Sequence, residues 1–217
     1  MIPLKDTNPP RSFPVVNVLL IVTNVVVFFY QVTLTPHAYK AFLITHATIP
    51  SRIPALLAGH APPSLALYPL FTSMFLHGGL MHLLGNMLFL YVFGDNVEDY
   101  FGHFWYLVFY IFCGIGSGLL HVIFNWHSSL PAIGASGAIS GVMGAYAVLF
   151  PRNRILMFFI IFLIPVPAIL ILGYWFVLQF AEGISGLGMA QTGGVAWWAH
   201  IGGFLMGVVV GFLARKD

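Results

Sequence analysis

The sequence predicts an all-α membrane protein, a six-transmembrane-helix bundle with an interfacial loop between spans one and two. Three observations carry this. Of 217 residues, 59% are hydrophobic and only 6% are charged, whereas a soluble domain carries about 25% charged residues. Apolar runs of bilayer-crossing length recur along the chain. The few polar residues inside those runs fall at one depth, as in a site buried in a membrane domain. A net charge of +2 gives no basis for a nucleic-acid partner. The single cysteine, Cys113, lies in an apolar run and excludes an intrachain disulfide framework.

Residues 1–14 read as a polar head with Lys5 and Arg11 and no small-residue cleavage site, so this head is expected to be retained. Span one covers 15–34. Residues 35–75 are too long for an idle connection and too broken to span, which predicts short amphipathic helices lying on the membrane. Span two runs over 78–94 and stops at Asp95, Glu98 and Asp99; span three covers 104–125. Span four, 136–150, is about 22 Å long at ~1.5 Å per residue. It is short for a bilayer core of about 30 Å, which sets its first residue below the membrane surface. Span five is expected over 155–179, bent near Pro165 and Pro167, followed by a loop over 181–195. Span six, 196–213, leads into a tail at 214–217, so the membrane domain is 15–213.

Orientation follows from lysine and arginine placement. With the amino terminus inside, the inner side holds Lys5, Arg11, Arg152, Arg154, Arg215 and Lys216, and the outer side only Lys40 and Arg52. Both termini are therefore expected inside. Spans two, four and six then run from outside to inside, and their first turns share one depth. His82 and Asn86 lie early in span two, four residues apart and so on one helix face. Ser136 opens span four, and His200 lies in the second turn of span six. Small residues recur at spacing four as Ser136, Ser140 and Gly144 on span four. They recur again as Ala199, Gly203, Gly207 and Gly211 on span six. Such faces let two helices approach closely, which predicts that His200 meets Ser136 across 64 residues of chain.

A serine hydroxyl needs a neighbouring base to become a useful nucleophile, and neutral histidine serves near pH 7. A developing oxyanion needs donors, which Asn86, His82 and the helix-start amide of Ser136 can supply. The six carboxylates, Asp6, Asp95, Glu98, Asp99, Glu182 and Asp217, all lie away from the outward half of a span. The expected catalytic unit is a Ser–His dyad. His77 is read as structural, and His103, His121 and His127 are given no role. Trp197 and Trp198 mark the outer interface.

Gly134-Ala135-Ser136-Gly137, His82-Leu83-Leu84-Gly85-Asn86 and Ala199-His200-Ile201-Gly202-Gly203 resemble the three signature motifs of rhomboid intramembrane serine proteases. The resemblance covers spans two to six and is similar to the six-span bacterial form. It implies that Ser136 is the nucleophile and His200 its base, with His82, Asn86 and the Ser136 N–H stabilising the oxyanion. It also implies transmembrane protein substrates, surrounding lipid and no metal or cofactor. Two departures stand out. The family often carries an aromatic at the position of Ser140, stacked on the base. Some members carry a Trp-Arg pair in the first loop, whereas Tyr68-Pro69-Leu70-Phe71 lacks the arginine.

The expected activity is an intramembrane serine endopeptidase cutting transmembrane proteins near the outer face, in the inner membrane of a bacterial cell with the site towards the periplasm. A silent membrane-helix binder and a transporter or channel are the alternatives. Against a channel, the polar residues do not continue to the inner face; against a silent binder, serine and histidine are both kept. There is no His-Glu-x-x-His zinc motif and no aspartate pair within the spans. Span five and the 181–195 loop are the candidates for a side gate and a lid.

Overall fold

The computed structural model describes residues 2–186 and 196–215. Its centre is the shortest of the apolar helices. Helix α8 (Ser136–Leu149) buries every residue from Gly137 to Val148, and it packs against α6 (Leu80–Phe101), α7 (His103–Phe124), α9 (Ala168–Ser185) and α10 (Trp197–Ala214). Helix α1 (Val15–Thr33) leans on α6 and α7 from outside. Among the described residues, α1, α7, α9 and α10 are each long and apolar enough to cross a membrane. Helix α6 qualifies together with Pro63–Phe75 across a 77° bend, and α8 falls short by length. The protein is thus a helical, multi-pass membrane protein.

Small residues explain how α8 and α10 meet. A Cβ on Gly203 would stand 1.9 Å from the carbonyl oxygen of Gly137, and one on Gly207 1.9 Å from that of Gly141. From the other side, a Cβ on Gly144 would stand 2.1 Å from the Phe204 carbonyl oxygen. These are backbone-on-backbone contacts that no side chain can share, as expected for a small-residue seam in a membrane.

The interfacial segment forms α2 (Pro36–His46), α3 (Arg52–Leu57), α4 (Pro63–Ala66), α5 (Tyr68–Thr72) and a 3-10 turn at Ser73–Phe75. It is tied directly to the chain that precedes Ser136. Thr48 N–H donates to the Ala132 carbonyl at 3.1 Å, Ala132 N–H returns to Thr48 at 2.8 Å, and Gly134 N–H donates to the Ser73 carbonyl at 2.9 Å.

Contacts at the opposite end fix the helix directions. The buried Glu98 carboxylate, near the end of α6, accepts from the N–H groups of Val16 (2.9 Å) and Asn17 (2.7 Å) and so caps the start of α1. His103 also bonds it, through Nδ1 at 2.5 Å. Tyr146, in the last turn of α8, donates to Asp6 at 2.5 Å, and Tyr100 on α6 donates to the Ala214 carbonyl at the end of α10 at 2.8 Å. Burial pushes the Asp6 carboxyl above its usual range, opposed by the Tyr146 hydroxyl. The start of α1 and the ends of α6, α8 and α10 therefore share one side. The first turns of α6, α8 and α10 share the other.

The fifth span is corrected. Residues expected at its start instead form strands β2 (Arg154–Phe159) and β3 (Phe162–Pro167), joined through Ile160 at a φ of 57°. Strand β1 (Ile2–Asp6) pairs antiparallel with β2, matching Ile2 to Phe158 and Asp6 to Ile155. The order β1-β2-β3 leaves β3 at an edge. Pro165 and Pro167 would break a helix interior but are tolerated on an edge strand. The preceding aromatic and branched residues suit a strand. The helix starts only at Ala168 and continues to Ser185, so 181–185 belongs to α9. The rest of the expected loop, from 187 to 195, lies outside the described residues.

The seam between α8 and α10 gives a direct test. Gly207→Leu should lower the stability of the detergent-purified protein by about 1–3 kcal/mol or more, the ordinary cost of overpacking. Thermal unfolding beside Gly173→Leu, where a Cβ meets nothing within 4 Å, should leave the second variant near wild type.

Candidate active site

Three helices, α6, α8 and α10, bring the sequence-predicted polar residues to one end of the bundle. Ser136 is the first residue of α8, where the amides have no partner inside the helix and the dipole is positive. It is partly exposed, whereas every residue that follows to Val148 is buried. Close packing of α8 on α10 carries His200 to it: His200 Nε2 and Ser136 Oγ are 2.7 Å apart. His200 is itself buried, with 9% of its surface exposed.

His82 and Asn86, on the first turns of α6, come up against the loop that leads into Ser136. A Cβ on Gly134 would stand 2.9 Å from His82 Nε2 and 3.7 Å from Asn86 Nδ2. Gly134 adopts a φ of +129°, a conformation that side-chain-bearing residues rarely take. Both reasons make glycine the fitting residue two positions before the serine. Gly78 N–H donates to His82 Nδ1 at 3.4 Å, which leaves Nε2 of the neutral ring as its N–H and directs that donor towards Gly134.

Three residues gain positions that their types alone did not reveal. His77 is buried, and its Nε2 lies 2.9 Å from Asn86 Nδ2. An amide nitrogen only donates, so His77 accepts and holds the Asn86 side chain. Gln31 on α1 brackets His77, accepting from its N–H at 3.0 Å and donating to its carbonyl at 3.2 Å. Gln179 on α9 lies against the far side of His200, its Oε1 2.6 Å from Nδ1. The expected span five ends at Gln179 and so makes it a boundary residue, whereas α9 continues to Ser185 and buries it; a buried glutamine in an apolar helix is itself a signal.

Ser140 does not reach His200. Its hydroxyl donates to the Ser136 carbonyl at 2.6 Å, within its own helix. The aromatic surroundings of His200 come from elsewhere: Trp175 on α9 lies 5.9 Å away at a 33° tilt, and Trp197 on α10 lies 6.2 Å away, edge-on at 89°. Beside Ser136 lies a cavity bordered in part by Thr48, Ser73, Ser117 and His121. Among the described residues, no group of three or more His, Cys, Asp or Glu side chains is arranged to hold a metal ion.

A family model described as the Rhomboid domain matches residues 64–217. The chain belongs to the rhomboid family. It is 33% identical over 153 residues to Rhomboid protein 1, mitochondrial, of Saccharomyces cerevisiae, covering 66% of this chain and 41% of that protein. It is 33% identical over 144 residues to RHOMBOID-like protein 1 of Arabidopsis thaliana, covering 66% and 33%. It is also 32% identical over 163 residues to Rhomboid-like protein 11, chloroplastic, of the same plant, covering 70% and 54%. The chain thus spans about a third to a half of the length of these curated relatives. The rhomboid match begins in α4 and takes in α6, α8 and α10, hence His82, Asn86, Ser136 and His200. The expected bacterial inner membrane finds no support in these relatives, whose names include mitochondrial and chloroplastic proteins.

The Gly134 turn can be tested without an activity. Gly134→Ala should destabilise the folded protein by about 1–3 kcal/mol through backbone strain. It should also shift the ring resonances of His82. Unchanged stability and an undisturbed His82 ring would place the turn elsewhere.

Proposed function

We propose that this protein is an intramembrane serine endopeptidase that cleaves transmembrane proteins by a Ser136–His200 dyad. Family membership supports intramembrane proteolysis as the class of activity. The observation that carries the finer reading is the 2.7 Å hydrogen bond between Ser136 Oγ and His200 Nε2, at the head of a helix too short to reach the surface.

Ser136 Oγ attacks the carbonyl carbon of the scissile peptide while His200 Nε2 takes its proton. The oxyanion faces the Ser136 N–H, His82 Nε2–H and an amide hydrogen of Asn86, whose other amide hydrogen is held by His77. His200 returns the proton to the leaving nitrogen, and the first product departs. A water reaching the site by way of the cavity beside Ser136 then gives its proton to His200. Its oxygen attacks the acyl ester, and collapse restores Ser136 with the proton that His200 held. An intact helix hides its carbonyls, so the substrate unwinds locally at the cut, and helix-weakening residues there favour cleavage.

The lysine and arginine distribution supports a site near the outer face, with both termini inside. In that orientation α6 and α8 also cross, which gives six spans. Helix α9 is the side through which a substrate helix reaches the dyad, because it buries only Ala168, Leu172, Gln179 and Gly183.

The test is cleavage of a single-span test protein by the purified enzyme in liposomes. Wild type should cut it, and folded Ser136→Ala and His200→Ala should not. Asn86→Ala should lower turnover by about 10²–10³, the cost of losing one oxyanion donor. Cleavage that survives Ser136→Ala would contradict the mechanism.

A further inference from the structure

We propose that Gln179 is the positioning residue of the base, holding His200 in the tautomer that can accept the serine proton. The inference rests on the hydrolase reading above and adds a residue to it. Gln179 lies in the middle of an apolar helix and is 7% exposed. Burying an amide in such a place is costly unless it is hydrogen-bonded. Its Oε1 lies 2.6 Å from His200 Nδ1, and a carbonyl oxygen can only accept. Nδ1 therefore carries the proton. In the neutral ring this leaves a lone pair on Nε2, facing the Ser136 hydroxyl at 2.7 Å. The reverse tautomer would place an N–H against Ser136 and leave the serine without a base.

Trp175, four residues earlier and so on the same face of α9, supplies the ring that lies along His200. One helix face thus provides both the hydrogen-bond acceptor and the packing surface that orient the imidazole. This is the orienting contact that Ser140, bonded within its own helix, does not make. The other groups around His200 are Ser136 on α8 and Trp197 on α10, with the titratable rings of His82 on α6 and His121 on α7 as its electrostatic neighbours. A neutral amide fixes direction without stabilising the imidazolium as a carboxylate would. Because Gln179 rides on the helix proposed to yield to substrate, the base is fully oriented only while α9 is docked.

The experiment compares wild type, Gln179→Leu and Gln179→Glu as full-length protein in liposomes. Leucine is close in size but cannot accept; glutamate restores the acceptor and adds a charge. Gln179→Leu should lower kcat by about 10- to 100-fold, by analogy with the partners that orient metal-bound histidines, and leave KM little changed, because Gln179 acts through His200. Gln179→Glu should recover most of kcat and move the acid limb of the pH–rate profile upwards, because a carboxylate favours the protonated ring. In parallel, 15N NMR of histidine-labelled wild type should show His200 as the Nδ1–H tautomer, and this signature should be lost in Gln179→Leu. An active enzyme whose kcat is indifferent to Gln179→Leu overturns this proposal alone. So does an Nε2–H tautomer in wild type, or a glutamate variant with neither rescue nor a moved acid limb. A wild type that shows the Nδ1–H tautomer but cleaves nothing fails on the hydrolase reading instead.

Discussion

The backbone contact between α8 and α10 is the constraint from which the rest follows. At Gly203 and Gly207 a single Cβ would stand 1.9 Å from a carbonyl oxygen of α8. The two backbones meet with no room for a side chain between them. In lipid there is no hydrophobic drive to bring helices together, so such contact rests on packing itself. It sets the distance between two side chains 64 residues apart in sequence, and that distance is a hydrogen bond of 2.7 Å. The partners of α8 on its other sides then have little freedom. Ser117 on α7 faces Gly137, and Cys113 faces Gly141, each so near that a Cβ there would overlap.

Much of this was legible in the sequence because the signals are local or periodic. Apolar runs gave five of the helices to within a few residues, apart from the inner end of α6. That helix runs on through Asp95, Glu98 and Asp99 to Phe101. Charges ordinarily mark the end of a span, but Glu98 is buried as the cap of α1, a partner 81 to 82 residues away that no local pattern reveals. Spacing-of-four glycines foretold the seam, and the depth of Ser136, His82, Asn86 and His200 followed from alternating helix directions.

What stayed hidden depended on strand formation and on long-range pairing. An apolar run with two prolines reads as a bent span. Pairing of 154–159 with 162–167 makes it a hairpin, and the distant segment 2–6 adds the third strand. The expected span ends at 179, so Gln179 reads as a boundary residue, whereas α9 runs on to Ser185 and sets Gln179 and Trp175 against His200. His77 reads as an ordinary interface histidine until Asn86 is seen to donate to it. The first interfacial segment likewise gives no sign that Thr48 and Ser73 hold the loop before Ser136. Packed spans of the bundle bring Ser136 to His200, whereas the contacts to His77 and Gln179 come from α1 and α9 at its periphery.

The central claim is that Ser136 is a nucleophile because His200 stands beside it. The most direct measurement is to treat the purified protein with a fluorophosphonate and locate the adduct by mass spectrometry, in wild type and in folded His200→Ala. The account predicts one adduct, on Ser136, that forms in wild type and is lost or greatly slowed in His200→Ala. An adduct on another residue, or labelling of Ser136 at the same rate without His200, would contradict it.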